Sequence, residues 1–234
     1  MKRHIVSVGW VLFLGLCWTT PDAFAGKRTD HNIQYGDGFS LRLTVIVPTV
    51  YRESGSYPVI FALPPGRGDP GMVDAILNNY WKDEGDRRGY IMVSPTILGR
   101  SLETRGTDVL NAVFAWMDEN LQYDKQRVTL AGQSNGGLGA FFVARMQPER
   151  FQSIVVLPGA FGAEGSLDML RGKPIWLLVG ERDTQWVELS KRTRDLLMLG
   201  GAEPKLTVVP GQGHVFTYPP ETLYDWIELQ AENR

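Results

Sequence analysis

The chain has 234 residues, 43% of them hydrophobic and 21% charged, with a formal net charge of −2. That length and apolar content suffice for one sizeable domain with a buried core. Acids and bases are interspersed, so neither a basic face for nucleic acid nor an acidic disordered tail is expected.

The N-terminus reads as a separate object. Lys2 and Arg3 precede an apolar run from Ile5 to Trp18, and Ala23-Phe24-Ala25 follows. This is the order of a secretory signal peptide. Residues 1–25 are therefore expected to be cleaved after Ala25, leaving a single domain, 26–234, in the periplasm or outside the cell. The competing reading is an uncleaved anchor, but the run is short for a membrane span. Cleavage removes Cys17, the only cysteine, and with it any disulfide or cysteine nucleophile. His31 and His214 are the histidines that remain. With no cysteine and no H-E-x-x-H motif, no zinc site is expected.

Residues 26–38 are polar and Gly-rich and read as a leader into the fold. Leu41 to Val47 alternates like a half-buried strand, and Pro58 to Leu63 is a solid apolar run, a strand covered on both faces. A helix is expected over Met72–Arg88, a strand over Tyr90–Ser94 and a helix over Thr107–Leu121. In that helix Leu110, Val113, Phe114 and Met117 share one face. Strand Val128–Ala131 leads into helix Asn135–Met146. Strands Ser153–Leu157, Pro174–Val179 and Lys205–Val209 alternate with helices Trp186–Leu199 and Glu221–Ala231. Such alternation predicts an α/β fold with a mostly parallel sheet covered by helices on both faces.

In such a sheet, functional loops leave the C-terminal ends of the strands. Gly132-Gln133-Ser134-Asn135-Gly136 lies at one of them and has the form G-x-S-x-G. The glycines permit a sharp turn, and the serine is held at an unfavourable backbone angle with its hydroxyl exposed. Serine needs a base. His214 follows the last strand, whereas His31 sits in the polar leader, so His214 is the candidate. Asp183, beyond the strand Pro174–Val179, is the expected third member, although an Asp there also suits a helix N-cap. Glu181 is the rival acid. The order Ser134, Asp183, His214 is that of α/β-hydrolases.

An oxyanion hole is also required. One N–H is expected from Asn135. The other is expected from the loop Pro64-Pro65-Gly66-Arg67-Gly68, where the prolines have no N–H and Gly66 or Arg67 remains, with Arg67 preferred. Phe161 and Trp186 follow strand ends and are candidates to line a substrate pocket, with core packing as the alternative for each.

The Ser-Asn-Gly-Gly elbow, its flanks YDKQRVTLAG and ARMQPERFQSIVVLPGAF, and the segments GERDT and GQGHVF resemble serine esterases of the α/β-hydrolase fold. The likeness is to the feruloyl esterase and polyhydroxybutyrate depolymerase-like group and to the phospholipase/carboxylesterase group. It extends over about residues 57–230 and implies ester hydrolysis without a cofactor, on a small-molecule or polymer-linked ester. The chain departs from the group where Pro64-Pro65 stands in place of His-Gly. Two further readings are weighed against it. A peptidase of the prolyl-oligopeptidase type shares the elbow but carries a propeller domain. A non-catalytic hydrolase-like periplasmic binding protein has no need to keep Ser134, Asp183 and His214 together.

Overall fold

The computed structural model describes residues 26–97, 101–162 and 165–232. The expected signal peptide lies outside the described residues, as do positions 98–100 and 163–164.

Eight strands form one sheet in the order β1-β2-β4-β3-β5-β6-β7-β8. They are β1 (Arg28–Tyr35), β2 (Phe39–Ile46), β3 (Tyr57–Leu63), β4 (Ile91–Pro95), β5 (Tyr123–Gly132), β6 (Ser153–Val156), β7 (Ile175–Gly180) and β8 (Lys205–Val209). From β4 to β8 every neighbouring pair is parallel, and β2 is antiparallel to both β1 and β4.

Among the described residues, six α-helices cover the sheet: α1 (Pro70–Ile76), α2 (Lys82–Arg88), α3 (Ser101–Asn120), α4 (Asn135–Met146), α5 (Thr184–Leu199) and α6 (Pro220–Glu232). Side chains alternate across a strand, so a solid apolar run supplies two cores. In β3, Val59, Phe61 and Leu63 pack with α3 and α4, while Ile60 and Ala62 face the side of α1 and α6. The fold is the expected α/β arrangement.

Four elements differ from the sequence-based expectation. Strand β5 starts at Tyr123 rather than Val128, and its first half, with Lys125 and Gln126 exposed, reads as loop. The polar leader contains β1, paired along its whole length with β2. As an edge strand it buries one side chain, Ile33, and leaves Asp30, Asn32 and Gln34 exposed, so its composition reads as loop. Its His31 lies against Trp116, with ring centroids 4.4 Å apart, away from Ser134. The helix expected over Met72–Arg88 starts earlier. Asp69 caps it by accepting from the Met72 N–H at 3.1 Å, Pro70 opens it, and a π-helical turn, Leu77–Trp81, joins α1 to α2. Helix α3 starts at Ser101 rather than Thr107. Its Gly106 reads as a breaker but sits where α4 passes, and an added Cβ would lie 3.1 Å from Met146 and 3.2 Å from Val143.

Candidate active site

The sheet's C-terminal edge gathers the candidate residues. Ser134 follows β5, Asp183 follows β7 and His214 follows β8. Ser134 has φ +55°, and among the described residues it alone holds a positive φ without being glycine. A side chain in that region is strained and persists only where its surroundings impose it. Here they do. The Ser134 N–H donates to the Pro158 carbonyl at 2.7 Å. A Cβ on Gly132 would lie 2.4 Å from the Gly136 carbonyl oxygen, one on Gly136 2.1 Å from that of Leu63, and one on Gly137 2.3 Å from that of Pro158. The elbow is thus clamped between the ends of β3 and β6, and only glycines fit the clamp.

The histidine and acid loops are joined to each other. The Glu181 N–H donates to Val209 O at 2.9 Å, and the Arg182 N–H to Gln212 O at 2.8 Å. The Glu181 carboxylate accepts from the Gly211 N–H at 2.7 Å. Beyond the histidine, the buried Tyr80 hydroxyl donates to Phe216 O at 2.5 Å, and burial pushes that phenol up to about 12. Glu181, the rival acid, is thereby accounted for: it fastens the histidine loop.

Asp183 sits at the N-cap position of α5 but makes no side-chain cap hydrogen bond. Its Oδ2 instead accepts from His214 Nδ1 at 2.5 Å. With its proton on Nδ1, the imidazole presents Nε2 as acceptor, and the Ser134 hydroxyl lies 2.9 Å from it. The structure therefore brings Ser134, His214 and Asp183 into one hydrogen-bonded chain from three separate strand ends.

Asn135 opens α4, where N–H groups have no intrahelical partner. Its side-chain Nδ2 donates to Gly66 O at 2.8 Å. Both Gly66 and Arg67 remain candidates for the second donor, on a loop that this bond ties to the elbow.

A cleft of about 330 Å³ adjoins Asn135, lined by Leu138, Phe142, Trp186, Leu189, Gln185 and Glu103 among others. Trp186 is there as expected, its ring 5.3 Å from that of His214. Phe161 is not. It is 3% exposed, packs edge-on against Phe142 and donates its N–H to Thr193, because the chain after β6 turns inward between α4 and α5. Sequence reasoning missed Leu138 and Phe142, although a signal existed: they follow Ser134 at i+4 and i+8, one stripe of α4. Among the described residues no group of three His, Cys, Asp or Glu side chains could hold a metal ion, and no helix is long and apolar enough to cross a membrane.

A family model described as "Putative esterase" matches residues 82–195, a span that includes Ser134 and Asp183. No curated protein matches the chain by sequence. Among solved structures, a thermostable esterase superposes at TM-score 0.67 and 16% identity over 88% of this chain. The chain spans 62% of that protein's length. A ferulic acid esterase from Anaeromyces mucronatus superposes at TM-score 0.67 and 17% identity, covering 89% of this chain and 94% of its own. Dipeptidyl peptidase 4 from Porphyromonas gingivalis reaches TM-score 0.66 at 15% identity, covering 89% of this chain and 36% of its own. At such identities the structural likenesses speak to the fold, which esterase and peptidase share. The chain thus shares the α/β-hydrolase fold of these proteins, and its residues 82–195 are similar to the esterase family.

Proposed function

We propose that the protein is an exported serine hydrolase that cleaves carboxylic esters through an acyl-enzyme, with Ser134 as nucleophile. The observation that carries the reading is the Ser134–His214–Asp183 chain, at 2.9 and 2.5 Å, on a serine held at positive φ. As Ser134 Oγ attacks the ester carbonyl, its proton passes to His214 Nε2, and Asp183 stabilises the imidazolium that forms. The N–H of Asn135 and one from the Pro64–Gly68 loop, that of Gly66 or Arg67, are the donors assigned to the developing oxyanion. The protonated His214 then gives its proton to the departing alcohol. Water enters, His214 takes a proton from it, and the acid leaves with Ser134 restored.

Two features support an ester with an apolar group of moderate size. The cleft volume is at the small end for ligand sites, and Leu138, Phe142, Trp186 and Leu189 supply its apolar lining. A peptidase would use the same chain of residues, so a matched series of aryl esters and aryl amides decides between the two.

The test is intact-protein mass spectrometry of the exported form after treatment with a fluorophosphonate. The expected result is a chain beginning at Gly26 that carries one adduct, on Ser134, and none in His214→Ala. Ser134→Ala is expected to lose nearly all ester turnover while remaining folded. Turnover retained in Ser134→Ala would overturn the assignment.

A further inference from the structure

The loop Pro64–Gly68 has to supply an oxyanion donor, yet it has little to fix it in place. Two of its residues are glycines at positive φ, Gly66 at +60° and Gly68 at +65°. The Arg67 side chain is 90% exposed and lies 3.7 Å from Asp69. The turn closes on itself through the Gly68 N–H to Pro65 O, 3.0 Å. Its far end is fastened to the segment after β4, where the Ile97 N–H donates to Gly68 O at 3.0 Å. At that point a Cβ on Gly68 would lie 1.6 Å from the Ile97 carbonyl oxygen.

The end nearest Ser134 is held by one side chain, that of Asn135, through its 2.8 Å bond to Gly66 O. Asn135 therefore sits at both sides of the same gap. Its backbone N–H is assigned as one donor to the hole, and its side chain holds the loop that supplies the other. Any residue except proline at this position would provide the backbone N–H. The amide side chain is the part that the bond to Gly66 requires.

We propose that the Asn135 side chain is a positioning residue that sets the spacing of the two oxyanion donors by tethering Gly66 to the elbow. The proposal rests on the esterase reading and deepens it. Donors aimed at the oxyanion act on the transition state more than on bound substrate. Loss of the tether should therefore lower kcat and leave KM nearly unchanged. The expected size is about tenfold, the worth of one neutral hydrogen bond.

The experiment compares the unmodified protein with Asn135→Ala and Asn135→Asp on a short aryl ester. Asp has nearly the size of Asn, but as a carboxylate it has no N–H for Gly66 and repels its carbonyl, so it serves if the Ala variant folds poorly. A trifluoromethyl ketone, which adds to the serine and forms an oxyanion, is titrated beside the matching methyl ketone. Both variants are expected to lose about tenfold in kcat, to keep KM within about threefold and to bind the trifluoromethyl ketone about tenfold more weakly. Methyl ketone binding is expected to stay the same. A folded variant with unchanged kcat, or one that loses rate with no loss of trifluoromethyl ketone binding, overturns the proposal. An unmodified protein that neither hydrolyses esters nor takes up the fluorophosphonate overturns the esterase reading itself, which is a distinct result.

Discussion

The serine and the histidine meet at 2.9 Å, but they are held there by different means. Around Ser134 the clamp is steric: three glycines face backbone atoms at 2.1–2.4 Å from where a Cβ would stand. Around His214 it is mostly polar. A Cβ on Gly213 would meet nothing within 4 Å, and the loop is kept in place by Glu181, the Arg182 N–H and the Tyr80 hydroxyl. The nucleophile is thus fixed by packing on several sides. The base is fixed mainly by separate hydrogen bonds, with one close backbone approach where a Cβ on Gly180 would lie 2.1 Å from the Gly213 carbonyl oxygen.

That contrast is most sharply broken at Gly136. In Gly136→Ala the new methyl would meet the Leu63 carbonyl, and neither β3 nor the elbow can shift without disturbing the sheet. A loss of about 3 kcal/mol or more is expected, together with at least a hundredfold fall in turnover from misplacement of the serine. Thermal unfolding and ester kinetics on the purified variant measure both. Near-native stability and rate would mean that the elbow is looser than its geometry.

The same contrast explains what could be read from the sequence. The elbow was legible because steric demand leaves a mark in residue type: glycines at 132, 136 and 137 around a serine. Helix α4 and strand β8 were also read to their bounds, since an apolar run ended by glycine or a turn leaves little choice. The acid was harder. Asp183 as cap and Asp183 as histidine partner use the same residue at the same place, and only the side-chain direction separates them. The roles of Glu181 and the Asn135 amide left no mark at all, because a carboxylate or amide that bonds to a distant backbone group resembles any exposed polar residue. Strand β1 was lost for a related reason: its partner lies on one side only, so its outer face is as polar as a loop.

The polar clamp is sharpened by Glu181. In Glu181→Ala the Gly211 N–H loses a charged acceptor, a bond worth about 1.5–3 kcal/mol. Part of that loss should appear as a looser histidine. The expected outcome is about a tenfold fall in kcat, with the protein still folded. Glu181→Gln keeps an acceptor oxygen and is expected to recover most of the rate. Rates for the three proteins at matched fluorophosphonate titre provide the check. If Gln fails as badly as Ala, the negative charge itself matters to the site, and the bond to Gly211 is not the cause.

The smallest effect is expected at Gly213, which borders the histidine directly. Its φ is not in the left-handed region, and the space for a Cβ is open. Gly213→Ala should therefore change stability by no more than about 0.5 kcal/mol, with a slight gain if the unfolded chain loses freedom. Turnover should stay within about twofold if the loop works in the conformation seen here. Stability is measured by denaturant unfolding and turnover on the same preparation. A folded variant that loses most of its rate would carry a specific meaning. The resting geometry accepts the methyl, so the loss would have to come from a second backbone arrangement adopted during the reaction. Loops held by a few hydrogen bonds can reach such arrangements, whereas an elbow packed against carbonyl oxygens cannot. The pair Gly136→Ala and Gly213→Ala thus asks whether the histidine moves in the cycle while the serine stays fixed.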